Sequence, residues 1–182
     1  MTVMDSHANP LGENRDDPRT GGTGTGDLVR ELEVGAVAPD FTLRDQFGQD
    51  VTLSSFRGAK AVLLVFYPYA FSNVCTGEMS QIRSRLDEFM TFDSEILAIS
   101  CDPVYALRAF SDSDGLNFPL LSDFWPHGEV TRAFEVFDEA KGCPRRSSYV
   151  VDKQGRLRWS VHNAMPEGRD LDEHLRQLRA LV

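Results

Sequence analysis

Cysteine, lysine and histidine are all scarce in this 182-residue chain. The three cysteines, Cys75, Cys101 and Cys143, are an odd number, and none sits in a C-x-x-C pair. That spacing excludes a disulfide framework and a thiolate zinc site, and it suits a reducing cytoplasm. Lysine occurs only at Lys60, Lys141 and Lys153. With 28 acidic against 19 basic residues the net charge is -9, which argues against nucleic acid and against an anionic membrane surface as partners. No stretch approaches the ~18 apolar residues of a transmembrane helix. The first 30 residues carry no apolar core of a secretory signal. The expectation is a cytoplasmic protein with no membrane partner.

What is present is an ordinary globular composition, 41% hydrophobic, enough for one domain with some excess. Residues 1–31 are rich in Gly, Asp, Thr and Asn and include Gly21-Gly22-Thr23-Gly24-Thr25-Gly26. They lack the apolar content that offsets ordering entropy, so a disordered tail is expected. No strand pattern precedes these glycines and no Gly-Lys-Ser/Thr follows, so they do not form a phosphate loop. The folded domain is expected over 34–182.

The chain is organised around Ala61-Val62-Leu63-Leu64-Val65-Phe66-Tyr67, seven residues without alternation. This pattern reads as a strand buried on both faces. Pro68 stops it. A helix follows from about 73 to 90, its apolar stripe being Cys75, Met79, Ile82, Leu86 and Phe89. Cys75 therefore falls in the first turn of a helix leaving a central strand. Unpaired N–H groups and the positive end of the helix dipole favour a thiolate there, and the thiolate is the reactive species.

Around this centre the patterning predicts a hairpin (41–43 and 51–53) across Asp45 to Asp50. It also predicts a buried strand at 95–100, a helix at 103–112 with Asp102 as N-cap, and a strand at 118–121. A short helix at 127–134, a hairpin (147–151 and 157–162) across Asp152 to Gly155, and a closing helix at 170–181 complete the order. A mixed sheet flanked by helices, with a cysteine after a central strand, is a thioredoxin-like α/β arrangement.

Four segments carry a resemblance. Pro68-x-x-x-Ser72-x-x-Cys75 with Glu78 is similar to the peroxiredoxin signature Pro-x-x-x-Thr/Ser-x-x-Cys. Val37-Ala38-Pro39-Asp40-Phe41, Pro119-Leu120-Leu121-Ser122-Asp123 and Arg146-Ser147-Ser148-Tyr149-Val150-Val151-Asp152 resemble three further segments of that family, in its order. Residues 57–66 and 120–128 most resemble the AhpE-type one-cysteine subgroup. The resemblance implies a thiol-dependent peroxidase with no cofactor or metal, acting on hydrogen peroxide, organic hydroperoxides or peroxynitrite. It implies Cys75 as the thiolate that attacks the distal peroxide oxygen and becomes a sulfenic acid. Ser72 would present a hydroxyl to the peroxide. Arg146 would stabilise the thiolate and the leaving oxygen, Pro68 would pack over the sulfur, and Glu78 would hold Arg146 or a neighbouring Arg. Backbone N–H groups of Val74 and Cys75 would complete the donor set.

Each residue also has a plainer reading: Cys75 as a small buried core residue, Ser72 as a helix cap, Pro68 as a strand stop, Glu78 as a solvated first-turn acid, Arg146 as a surface charge. Ser72 replaces the commoner Thr and lacks its χ1-stiffening branch. Ser80 stands where one subgroup has a resolving cysteine, and no cysteine-bearing arm follows to Val182. An external thiol, or a glutaredoxin- or thioredoxin-like protein, is therefore the expected reductant, with mycothiol and mycoredoxin implied by the subgroup. Cys101 reads as core. Cys143, three residues before Arg146, could meet Cys75 only after loop movement or across a dimer, since a disulfide needs Cα atoms within about 7 Å. His127 is not needed as a base. A homodimer or higher homo-oligomer is expected, and Phe124-Trp125-Pro126-His127 is either internal packing or a dimer contact. A peroxide sensor or relay, and a thiol–disulfide oxidoreductase of the same fold, are the alternatives; Ser72 occupies the first position of the pair that the latter requires.

Overall fold

The computed structural model describes residues 31–182; the tail predicted over 1–31 lies almost wholly outside the described residues. The elements in chain order are β1 (Thr42–Arg44), β2 (Asp50–Thr52), β3 (Ala61–Phe66), α1 (Asn73–Ser84), α2 (Leu86–Met90), β4 (Ser94–Ser100) and α3 (Val104–Asp114). Then follow β5 (Leu120–Ser122), α4 (Glu129–Ala133), β6 (Phe137–Asp138), β7 (Cys143–Pro144), β8 (Ser147–Val151), β9 (Leu157–His162) and α5 (Leu171–Arg179). Seven strands form one mixed sheet in the order β2-β1-β5-β4-β3-β8-β9. The pairs β3–β4 and β4–β5 are parallel, and β3–β8 and β8–β9 antiparallel.

All six residues of β3 are buried, because both sheet faces are covered. Leu63, Val65 and Tyr67 point into a core with Cys75, Met79, Ile82, Phe89 and the apolar face of α5. Val62, Leu64 and Phe66 alternate into the opposite core with Phe41, Phe134 and Tyr149. A strand with two apolar partners shows no polar alternation, which is why the sequence run was unbroken.

Side-chain carboxylates fix the turns. Asp45 Oδ1 accepts from the N–H groups of Phe47 (2.8 Å) and Gln49 (2.9 Å), closing the β1–β2 hairpin. Asp152 Oδ1 does the same for Gln154 and Arg156, both at 2.9 Å, before β9. Asp123 is buried and accepts from Val130 N–H (3.1 Å), Thr131 N–H (2.8 Å) and Thr131 Oγ1 (2.7 Å). It thereby satisfies the start of α4.

Three expectations are corrected, and one element was not foreseen. The helix predicted over 73–90 breaks at Arg85 (φ -115°, ψ 12°) into α1 and α2, where the Arg85 side chain bridges Glu88 (2.9 Å) and Asp172 (2.7 Å). Asp102 does not cap α3: Pro103 holds that position, and the Asp102 carboxylate bonds to Ala70 and Ser100 instead. His127 precedes α4 rather than opening it, because Gly128 takes a left-handed conformation (φ 71°) there. The two-residue ribbon β6–β7 is too short to leave a pattern in the sequence.

Candidate active site

The C-terminal end of β3 delivers the chain into Tyr67-Pro68-Tyr69-Ala70-Phe71-Ser72, and α1 begins at Asn73. The pairings Phe66–Ile99 and Phe66–Ser147 flank this point, so β4 ends and β8 begins beside it. Parallel strands that release their helices at one end leave a crevice there.

Cys75 is fully buried in the first turn of α1. The N–H groups of Val74 and Cys75 have no backbone acceptor, since the first helical bond runs from Thr76 N–H to Ser72 O at 2.8 Å. Ser72 sits at the N-cap with extended backbone but makes no capping side-chain hydrogen bond. Its hydroxyl is thus not spent on the helix. Pro68 is buried at the end of β3.

Arg146, at the start of β8 and 2% exposed, brings Nη1 to 3.6 Å and Nη2 to 3.5 Å from Cys75 Sγ. Both forks of the guanidinium face the sulfur. Its Nε donates to Met165 O at 3.2 Å, and its Nη1 pairs with Glu78 Oε2. Glu78, one turn after Cys75 on α1, is buried rather than solvated. The surface-charge reading of Arg146 and the solvated reading of Glu78 therefore do not hold.

Sequence reasoning missed Arg169. Its side chain is completely buried and pairs with Glu78 Oε2, while its N–H donates to Glu78 Oε1 at 2.9 Å. It also bonds Ser148 Oγ (2.9 Å), Ser147 O (3.3 Å) and Phe66 O, which ties the ends of β3 and β8 together. Burial lowers its pKa to about 10, opposed by the Glu78 charge; it stays cationic at neutral pH. The only local signal is its place just before Asp170, whose carboxylate caps α5. Nothing local indicates that the chain returns there to Glu78.

The ionic core is thus a buried carboxylate between two guanidiniums, one of which faces a buried cysteine sulfur. Two guanidiniums against one carboxylate leave one positive charge in excess beside the Cys75 sulfur. Buried charges persist only when paired.

The other candidates do not join this ionic set. Cys143, buried in β7, has its thiol pushed up by burial and by the Asp138 charge. Cys101 is buried and pushed up to about 12, first by burial and then by the Asp123 charge. His127 Nε2 lies 2.8 Å from Gly142 O, in a surface loop. Phe124 and Trp125 are 48% and 83% exposed, so they are not internal packing.

The AhpC/TSA family matches residues 34–160. Alkyl hydroperoxide reductase E of Mycobacterium tuberculosis is 51% identical over 139 residues, covering 76% of this chain and 91% of its own length. A putative peroxiredoxin of Synechocystis is 35% identical over 164 residues, covering 85% and 80%. Among solved structures, peroxidoxin BcpB of Mycobacterium tuberculosis superposes with a TM-score of 0.74 at 30% identity, covering 84% of this chain and 99% of that one. Enterococcus faecalis AhpC gives a TM-score of 0.75 at 28% identity, covering 81% and 90%.

Proposed function

From the membership of this chain in the AhpC/TSA family of peroxiredoxins, which are thiol-dependent peroxidases, we infer that Cys75 is the peroxidatic residue and that Arg146, Ser72, Pro68 and Glu78 form its site. The observation that carries this reading is the two-pronged approach of Arg146 to Cys75 Sγ at 3.5 and 3.6 Å. The sulfur attacks the terminal oxygen of a hydroperoxide. The S–O bond forms as the O–O bond breaks, the departing alkoxide or hydroxide takes a proton, and Cys75 is left as a sulfenic acid.

Each residue serves one part of that step. The guanidinium is a fixed fork of donors that can bond both the thiolate and the developing charge on the leaving oxygen. The first-turn N–H groups of Val74 and Cys75 and the uncommitted Ser72 hydroxyl supply further donors. Glu78 and Arg169 hold Arg146 in place, and Pro68 closes the strand end against water.

The reduction half-reaction is assigned to an external thiol. Cys101 and Cys143 both have raised thiol pKa values and are weak nucleophiles at neutral pH. Mycothiol with mycoredoxin is the reductant we propose, on the strength of the likeness to the mycobacterial protein, in a reducing cytoplasm. A homodimer through the exposed Phe124–Trp125 surface is the proposed assembly, since aromatics are enriched at interfaces. Turnover of hydrogen peroxide and cumene hydroperoxide with mycothiol and mycoredoxin, against a thioredoxin system, tests the reductant. Turnover with neither, despite rapid Cys75 oxidation, would favour the sensor alternative.

A further inference from the structure

The loop that carries Pro68 and Ser72 is held at one point by a residue outside the site. Asp102 lies just beyond β4. Its Oδ2 accepts from the Ala70 N–H at 2.8 Å and from Ser100 Oγ at 2.8 Å. Ala70 is the middle residue of Pro68-Tyr69-Ala70-Phe71-Ser72. Asp102 is itself anchored to the sheet: Ser122 Oγ of β5 donates to its carbonyl at 2.7 Å, and its N–H meets Ser100 Oγ at 3.3 Å.

The segment needs such a hold. Before it, Tyr67 N–H bonds Ile99 O at 3.0 Å; after it, the α1 ladder starts at Thr76. Between them, among the described residues, the Ala70 N–H to Asp102 is the loop's own backbone bond; the Tyr69 hydroxyl reaches Lys141 O at 2.7 Å. Phe71 also adopts a left-handed conformation (φ 63°), which residues with a side chain disfavour and which persists only where surroundings enforce it. The Phe71 ring lies 5.0 Å from that of Phe110 on α3. The two restraints, Asp102 at the head of α3 and Phe110 along it, come from one side.

We propose that Asp102 is a positioning residue for the peroxide reaction. It does not touch the sulfur. It fixes Ala70, and through Ala70 the placement of Pro68 and Ser72 over Cys75. The proposal rests on the assignment of Cys75 as the peroxidatic residue.

The test compares two rates on the full chain: oxidation of Cys75 by hydrogen peroxide, followed by stopped-flow fluorescence, and alkylation of Cys75 by iodoacetamide, followed by peptide mass spectrometry. Alkylation needs only a thiolate and access. Oxidation also needs the aligned loop. Asp102→Ala is expected to slow oxidation about tenfold to a hundredfold, the scale of a small misplacement of reacting groups, with alkylation as fast as wild type or faster. Asp102→Asn keeps an acceptor oxygen and is expected to restore oxidation to within about threefold. Ser100→Ala removes one partner of the carboxylate and serves where Asp102→Ala does not fold; a smaller loss in the same direction is expected. Wild-type oxidation rates in Asp102→Ala overturn the proposal. So does a parallel fall of oxidation and alkylation in a folded variant. So does an Asp102→Asn protein as slow as Asp102→Ala, since the effect would then be one of charge. Slow oxidation of the wild-type protein itself overturns the peroxidatic assignment, and this proposal with it.

Discussion

Replacing Glu78 by Gln probes the charge balance beneath the site with almost no change of shape. The side chains of Glu78, Arg146 and Arg169 are 4%, 3% and 0% exposed, so solvent does little to screen them. Glu78 Oε2 pairs with both guanidiniums, and Oε1 accepts the Arg169 N–H. The amide of Gln can keep one acceptor contact but leaves two buried guanidiniums without the carboxylate that pairs them. Breaking a buried pair by removing one partner costs about 3–5 kcal/mol, and the retained acceptor puts this case near the lower end. In a domain of this size each kcal/mol moves the melting temperature by about 2–4 °C, so the expected fall is roughly 6–12 °C. Arg146 also loses its positioning partner, so Cys75 oxidation slows in the same variant. Thermal unfolding by circular dichroism reads the first effect and stopped-flow fluorescence the second. A melting temperature within about 2 °C of wild type would refute the view that this carboxylate is what neutralises the pair.

Two more outcomes follow from the titrations. Burial pushes His174 down to about 4; its Nδ1 lies 2.6 Å from Asp170 O, and its Nε2 has no partner. The unfolded chain binds this proton more readily, so the stabilisation is full above about 6.5 and is lost as pH falls toward 4, by roughly 3 kcal/mol in all. Urea melts from pH 7 to 4.5 should show a shallower decline in His174→Leu than in wild type; parallel declines would assign the loss to other groups. Cys143 is buried with a raised thiol pKa, so Cys143→Ser should keep wild-type oxidation kinetics. Non-reducing peptide maps of peroxide-treated protein should then show no Cys75–Cys143 disulfide, and finding that peptide would make Cys143 a resolving thiol.

The parts of the fold visible in the sequence are those set by local physics. The β3 run announced two buried faces, and the Asp45 and Asp152 turns announced their hairpins. The stripe from Cys75 to Phe89 placed Cys75 at a helix start, although the Arg85 break was invisible because the bridge to Asp172 in α5 that accompanies it is long-range. Glu78 was read as a holder of one Arg and proved to hold two. Arg169 was missed because a single Arg in a loop looks solvated until the chain's return path is known. Asp102 was misread for the opposite reason: Asp before Pro is a strong local cap signal, and a long-range bond to Ala70 overrode it.

We propose that the geometry of Arg146 makes Cys75 a fast peroxide nucleophile. The direct measurement is the stopped-flow rate of Cys75 oxidation by hydrogen peroxide in the wild type, Cys75→Ser and Arg146→Ala. Removing one donor from a preorganised oxyanion site costs about 10²–10³ in rate. A fast phase is expected in the wild type, absent in Cys75→Ser and slowed by about that factor in Arg146→Ala. A wild-type rate no better than that of a free thiolate, or one indifferent to Arg146, would contradict it.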